Sequence, residues 1–180
     1  MINECPPKIK RHWGYTAIEF LVVLALIAIM MGLIVPNFSS WIDRWRVHQG
    51  IAQLQNVMRF ANAQAIRTGS PVVIQSIACP QQQNTQDWSC GLRVFQDINR
   101  NNIQDAGEPT LQQVQTFRSL TVMHAGGASN ARMVYWPHGA PTANPGRFEV
   151  YPATRPDSPA EQTICVSFGG RMRVKAGLGC

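Results

Sequence analysis

The sequence lacks the short motifs that mark common catalytic sites. It has no HxxxH spacing, no GxSxG nucleophile elbow and no phosphate-binding P-loop, and His48, His124 and His138 stand apart from one another. It also lacks CxxC pairs, the ligand spacing of most structural zinc sites, which leaves zinc a weak alternative for the cysteines. We therefore predict neither enzymatic activity nor a cofactor.

Lysine is nearly absent, and charge of either sign is sparse. Charged residues make up 14% of the chain, and Lys175 is the only lysine after residue 14. The other cations of that part are arginines, whose planar donor fork suits phosphate and carboxylate groups. With a formal net charge of +6, this arginine bias favours recognition of an anion.

One long apolar run, residues 15–35, dominates the N-terminal part. As a helix it spans roughly 30 Å, the thickness of the hydrocarbon core of a bilayer. The cations Lys8, Lys10 and Arg11 precede it. By the positive-inside rule, this basic N-terminal segment stays in the cytoplasm and the rest of the chain is exported. The single charge within the run, Glu19, costs up to about 3 kcal/mol in a bilayer and so calls for a partner.

The residues around the start of this run resemble the leader of type IV pilins and pseudopilins. A basic head ends in Gly14, the aromatic Tyr15 follows, and Glu19 stands five residues after the glycine. The resemblance implies that a prepilin peptidase cuts between Gly14 and Tyr15 and that Tyr15 becomes N-methylated. It implies that Glu19 pairs with the terminal amine of a neighbouring pilin or pseudopilin during assembly. The alternative is an ordinary single-pass anchor with an incidental glutamate.

The cysteines indicate an oxidising compartment. Of five, Cys5 lies in the leader, and Cys79, Cys90, Cys165 and Cys180 remain. Four cysteines allow three pairings, but proximity favours Cys79 with Cys90 and Cys165 with Cys180, each bridge contributing about 3 kcal/mol in the chain-entropy model. We expect an inner-membrane protein whose C-terminal domain lies in a bacterial periplasm before it enters a filament.

The remaining pattern predicts one helix followed by antiparallel strands. Apolar residues recur at three- and four-residue steps between positions 38 and 65, so the helix continues amphipathically past a kink at Pro36 and stops near Gly69. From Val72 onward the apolar period is two. Because no helical pattern separates the strands, we expect an antiparallel sheet packed on the helix, an α+β fold. The predicted strands are residues 72–77, 92–95, 111–117, 120–124, 132–136, 147–151, 163–168 and 171–175.

Two further stretches resemble the GspH/FimT group of minor pilins and pseudopilins. The first holds Asp87, Trp88, Gly91, Phe95 and the acidic and amide residues up to Glu108, and the second is residues 169–174. The resemblance implies the type IV pilin fold, in which a long N-terminal helix, transmembrane then amphipathic, packs on an antiparallel β-sheet domain. The implied divisions are a cleaved leader at 1–14, a transmembrane half-helix at 15–36, an amphipathic half-helix at 37–69 and a disulfide-stapled periplasmic β domain at 70–180.

FimT-like members of this group are associated with DNA uptake, and their C-terminal GRxR motif contacts DNA. Gly170, Arg171 and Arg173 fit that motif. The residues support the same interpretation, because Gly169-Gly170 signals a two-residue hairpin turn, after which alternation places Arg171, Arg173 and Lys175 on one face. We call these three cations the basic ridge. No acidic residue follows Glu161.

Such a ridge can bind several DNA phosphates without reading bases. The alternative without a binding function is a solvated edge strand whose cations discourage aggregation. Arg147, Arg155 and His138 are possible auxiliaries, although no spacing ties them to the ridge. We thus predict a type IV minor pilin that binds DNA non-specifically during natural transformation. The alternative is a pilus-assembly minor pilin or a type II secretion minor pseudopilin that acts only through subunit contacts.

A calcium site is a further alternative for the segment from 97 to 108. Its oxygen-bearing side chains fall at the first, third, fifth, ninth and twelfth positions, as in an EF-hand loop. Position six is Asn102 rather than glycine, and no flanking helices are predicted. A hairpin turn rich in Asn and Asp explains the same residues. The calcium ligands would be Asp97, Asn99, Asn101, Asp105 and Glu108.

Overall fold

The computed structural model describes residues 15–80, 84–115, 117, 119–126, 131–141 and 146–180, and omits the side chains of residues 33–37. The predicted leader, with Gly14, and the side chain of Pro36 at the predicted kink lie outside this description. The chain divides into two compact units, one ending at Ser39 and one running from Ser40 to Cys180.

Helix α1, Ala17–Thr68, begins in the first unit with a reciprocal cap. The backbone N–H and hydroxyl of Thr16 donate to Glu19 Oε2 at 2.8 and 3.0 Å, and the Glu19 N–H donates to Thr16 Oγ1 at 3.4 Å. This is a capping box, which satisfies backbone groups that a helix start leaves unpaired. Thr16 was not recognised from the sequence as a hydrogen-bond partner of Glu19. It supplies no positive charge, so it does not neutralise the Glu19 carboxylate.

The side chains of residues 15–32 are exposed in the single chain, and nearly all are apolar. Within the part of the chain that the structure describes, no helix combines the length and apolarity needed to cross a membrane.

In the second unit, α1 presents the predicted apolar stripe to the core. The helix ends at Thr68, and Gly69 terminates it with φ of 66° and an N–H bond to Ala65 O at 3.1 Å. The prediction that the stripe starts near position 38 was wrong at its beginning, because Trp41 and Trp45 are exposed and continuous burial starts at Val47. The buried members are Val47, Ile51, Leu54, Val57, Met58, Ala61 and Ala65.

The described residues form eight strands, and each predicted strand has a counterpart whose ends differ by at most two residues. They are β1 (Val72–Ser76), β2 (Gly91–Gln96), β3 (Thr110–Gln115), β4 (Leu120–Ala125), β5 (Arg132–Tyr135), β6 (Arg147–Pro152), β7 (Gln162–Val166) and β8 (Met172–Ala176). All their pairings are antiparallel. The strands form two sheets rather than the expected one, in the orders β3-β2-β1-β5 and β4-β6-β7-β8.

The loop between β1 and β2 joins the two sheets. Asp87 bridges to Met123 of β4, and the Trp88 N–H donates to Val122 O at 2.8 Å. The Trp88 ring is buried edge-on against His124 and Phe148, with centroids 5.2 and 5.0 Å away. The loop between β1 and β2 therefore supplies one of the largest core side chains, and the helix stripe packs with both sheets in one apolar cluster.

Gly91 begins β2 in a conformation that other residues rarely adopt. Its φ is 117°, and a Cβ on this residue would lie 2.4 Å from the carbonyl oxygen of Val114 in β3. Because the obstacle is the backbone of a paired strand, it cannot turn aside as a side chain would. The backbone of the β2–β3 pair thus requires glycine at this position.

We expect Gly91→Ala to lower the free energy of unfolding by about 3 kcal/mol, because it combines left-handed strain with a backbone clash. Gly107→Ala is the matched control, since Gly107 has φ of 102° but open space around its Cβ position, and we expect it to cost about 1 kcal/mol. Urea denaturation followed by tryptophan fluorescence measures both. Equal losses would show that the contact with Val114 is not the cause.

Candidate functional site

The candidate site lies on the hairpin formed by β7 and β8. The Ser167 N–H donates to Arg171 O at 3.0 Å, and the Gly170 N–H donates to Ser167 O at 2.9 Å. These bonds enclose three loop residues, 168–170, instead of the predicted two. Only Gly170 of the pair takes a positive φ, 77°, as in a three-residue loop built on a turn followed by one left-handed residue.

The strand register decides which side chains face outward. Val166 pairs with Met172 and Ile164 with Val174, so Met172 and Val174 share the face of the sheet that carries the buried Ile164. Met172 packs against the core, whereas Val174, on the edge strand, is 43% exposed. The alternate positions, from Arg171 through Arg173 to Lys175, therefore face away from the helix, as the alternation predicts. Directly paired residues share a face, so Arg173 stands opposite Cys165.

The basic ridge occupies the open edge of its sheet. β8 is the last strand in the order β4-β6-β7-β8, and all three cations are exposed. Within the described residues, the side chains of Arg171, Arg173 and Lys175 make no hydrogen bond or ion pair. Alternate residues of a strand stand about 6.6 Å apart, so the three cations form a row along which several phosphates of a nucleic-acid strand can lie. The ridge thus presents three unneutralised cations at a spacing that suits a phosphate backbone.

The two disulfides join Cys79 to Cys90 and Cys165 to Cys180, the pairs that proximity favours. The second bridge holds the end of the chain on the outer face of β7. The Gly177 N–H donates to Glu161 O at 3.0 Å, and the Thr163 hydroxyl donates to Gly177 O at 2.8 Å. Thr163 is fully buried although it faces outward, because this tail covers it. The tail and bridge fix β8 in place.

Arg147, named from the sequence without a spacing argument, shares this face. It pairs with Cys165, which pairs with Arg173, so β7 lies between the two arginines and their backbones are about 10 Å apart. Arg147 binds Glu149 at 2.6 Å. Glu149 is thereby neutralised locally, although it lies in the same cross-strand row as Lys175.

The other two candidate auxiliaries differ in role. Arg155 pairs with Asp43, a buried carboxylate of α1, and therefore ties a loop to the helix. His138 is exposed, and the neighbouring Gly139 lies beside the β7–β8 turn, its carbonyl oxygen 3.3 Å from the position of a Cβ on Gly170.

Acidic groups of the second sheet lie toward its β4 and β6 side. Burial, together with the nearby carboxylates of Asp87 and Glu149, raises the pKa of the Tyr151 phenol. These two carboxylates thus lie near Tyr151 of β6, whereas the β8 edge carries cations without acidic partners among the described residues. The outer face is thus polarised across its strands.

The segment proposed as a calcium loop connects β2 to β3 and uses its oxygens internally. Asp97 accepts the Asn101 N–H at 3.1 Å, and Asp105 accepts the side-chain amides of Asn99 and Asn101 at 2.7 and 2.6 Å. Glu108 accepts the Asp105 N–H at 3.1 Å. Among the described residues, no three His, Cys, Asp or Glu side chains are placed to hold a metal ion. These bonds support the hairpin-turn interpretation.

Sequence reasoning missed Phe168, which was included only as the last residue of the predicted strand 163–168. Its side chain is 67% exposed at the hairpin tip. The available signal was a large aromatic residue directly before a Gly-Gly turn, where polar residues are usual.

The chain is similar to known proteins in sequence and in structure. The model of a family described as "Type II transport protein GspH" matches residues 51–170. The crystal structure of the type IV minor pilin FimU of Pseudomonas aeruginosa in space group P21 is similar with a TM-score of 0.55 and 17% identity, covering 73% of this chain and 90% of that chain. No curated protein matches significantly.

A second structural relative comes from a secretion system. The minor pseudopilin EpsH from the Type 2 Secretion System of Vibrio cholerae is similar with a TM-score of 0.51 and 13% identity, covering 73% of this chain and 97% of that chain. At such identities the likeness concerns the fold, and it confirms the predicted α+β type IV pilin fold.

The turn of the hairpin gives a matched pair of glycine substitutions. We expect Gly170→Ala to lower the free energy of unfolding by about 2 kcal/mol, because its φ of 77° strains an L residue and its Cβ would press on Gly139 O. Gly169→Ala meets open space and should change stability by less than about 0.5 kcal/mol. Thermal unfolding of both variants tests this, and a stable Gly170→Ala protein would contradict the turn geometry.

Proposed function

This chain belongs to the GspH family of type II transport proteins, and we propose that it is a type IV minor pilin that binds DNA through the basic ridge during natural transformation. A minor pilin or pseudopilin role follows from the family and fold. DNA binding is the finer step, and one observation supports it. Three exposed cations stand in a row at and next to the outer strand β8, and none of them has a partner among the described residues.

The chemistry of the ridge suits phosphate more than base edges. Arg171 and Arg173 each offer a planar donor fork, and Lys175 adds a point charge. Contacts of this kind release counterions and position a protein on DNA without selecting sequence. Since no ridge cation is engaged by a described side chain, binding does not first have to break an internal ion pair.

The rigidity of β8 also favours DNA binding. The Cys165–Cys180 bridge and the tail bonds at Gly177 hold β8 against β7. A surface that is already ordered loses less conformational entropy when it binds a ligand. The ridge therefore presents its charges in one arrangement rather than on a flexible tail.

Display of the ridge depends on the N-terminal part. We propose that a prepilin peptidase cuts between Gly14 and Tyr15, that Tyr15 is then N-methylated, and that residues 15–36 anchor the chain in the inner membrane before filament assembly. In a filament, Glu19 would bind the terminal amine of a neighbouring subunit. Both hydrogen bonds from Thr16 reach Oε2 of Glu19. Within the described residues Oε1 accepts no hydrogen bond, which leaves it for that amine.

Processing can be tested without any DNA assay. Mass spectrometry of the chain recovered from cells that express a prepilin peptidase should find a mature N terminus of N-methylated Tyr15. A Gly14→Val variant should keep its first fourteen residues, because the peptidase would lose its cleavage position. An unprocessed wild-type chain would support the ordinary single-pass anchor instead.

DNA binding is tested by salt titration of the full chain in mild detergent. We expect the Arg171→Ala/Arg173→Ala double variant to flatten the log-log salt slope for duplex DNA by about 1.8, at about 0.9 per phosphate contact. Arg44→Ala/Arg46→Ala, which removes two exposed arginines from α1, is the matched control and should leave the slope unchanged.

The second candidate function, assembly through subunit contacts alone, predicts a different result. In that case wild type fails to bind DNA even at low salt, or the double variant binds as wild type does. The ridge then serves only to protect an open sheet edge.

A further inference from the structure

We propose that Phe168 forms a stacking platform for an unpaired nucleobase beside the basic ridge, so that the protein prefers single-stranded over duplex DNA. This inference rests on the proposed DNA-binding function and names the form of DNA that the site takes. It follows from the position of Phe168, the groove next to it and the charges on either side.

Among the described residues, Phe168 has no packing role that would explain an aromatic side chain. The turn is closed by backbone groups of Ser167, Gly170 and Arg171 together with the Ser167 hydroxyl, which accepts the Arg171 N–H at 3.1 Å. Phe168 is 67% exposed and lies outside both apolar clusters of the core. An exposed aromatic ring at a hairpin tip is therefore available to a ligand.

Phe168 lines one end of a groove on the outer face of the second sheet. The Cys165–Cys180 bridge and Arg147 also line it, together with Gly146. Its surface is largely apolar, and a cation stands within it. A nucleobase has a flat π face that stacks on aromatic side chains, and this contact is tolerant of base identity.

The groove and the ridge share a boundary. Arg171 follows Phe168 by three residues, and Arg173 stands directly opposite Cys165, one of the groove residues. A strand whose phosphates lie along Arg171 and Arg173 can thus direct a base toward Phe168. In a duplex the bases are stacked and paired, so only a single strand or an unpaired end can use both surfaces.

The charge distribution favours nucleic acid over an apolar protein partner as the occupant. Cations border the groove on both sides, and Arg147 remains partly exposed although it binds Glu149. A neighbouring pilin that covered Phe168 would have to bury or displace these charges, which costs free energy unless acidic groups meet them.

The test compares three fluorescent probes by anisotropy with the full chain in mild detergent. The probes are an oligothymidine strand, a duplex of equal length and an abasic strand that keeps the phosphates but has no bases. We expect Phe168→Ala to weaken oligothymidine binding about tenfold, within the range for base–aromatic stacking. Binding to the duplex and to the abasic strand should change less than about twofold.

Two further variants complete the design. Phe168→Trp keeps an aromatic surface and should bind oligothymidine at least as tightly as wild type. Ile98→Ala removes an exposed apolar side chain from the β2–β3 loop and should bind all three probes as wild type does.

The outcomes separate the two proposals. Unchanged oligothymidine binding by Phe168→Ala, or an equal loss with the abasic strand, overturns the stacking platform. If the Arg171→Ala/Arg173→Ala variant still loses affinity for every probe, DNA binding by the ridge survives that result. If wild type binds none of the probes, the proposed function itself fails. If Phe168→Ala impairs only filament assembly, a subunit contact replaces the stacking platform.

Discussion

The register between β7 and β8 determines what the last strand presents to solvent. A slip of one residue would turn Arg173 toward the core and Met172 toward solvent, because side chains alternate across a strand. Burial of Met172 against the core, the turn at Gly170 and the Cys165–Cys180 bridge all specify the same register. Three independent interactions thus select the one register in which the cations of the basic ridge face solvent.

Local periodicity was enough to predict most of the elements. Apolar residues at three- and four-residue steps, such as Ile51, Leu54 and Met58, indicate a helix with one buried face. The period of two after Val72 indicates extended strands. The outward direction of Arg171, Arg173 and Lys175 could be predicted for the same reason, since it depends on alternation alone. The disulfide pairs followed from proximity in sequence, a guide that worked because both bridges close short loops.

Long-range relationships were not predictable in this way. Trp88, in the loop between β1 and β2, packs against His124 and Phe148 of the second sheet, and nothing in its local pattern indicates that role. The neighbourhood of Arg147 and Arg173 depends on which strands pair, and alternation does not specify partners. The need for glycine at position 91 arises from a contact with the backbone of Val114 in β3, which the residues around Gly91 do not indicate.

The central claim is that Arg171 and Arg173 are the groups that DNA covers. Arginine-selective labelling with a dicarbonyl reagent, analysed by mass spectrometry with and without DNA, measures this residue by residue. DNA should protect Arg171 and Arg173, while the exposed Arg44, Arg46 and Arg59 of α1 stay reactive in the same sample. Protection of the helix arginines instead, or full reactivity of Arg171 and Arg173 in the presence of bound DNA, would contradict the claim.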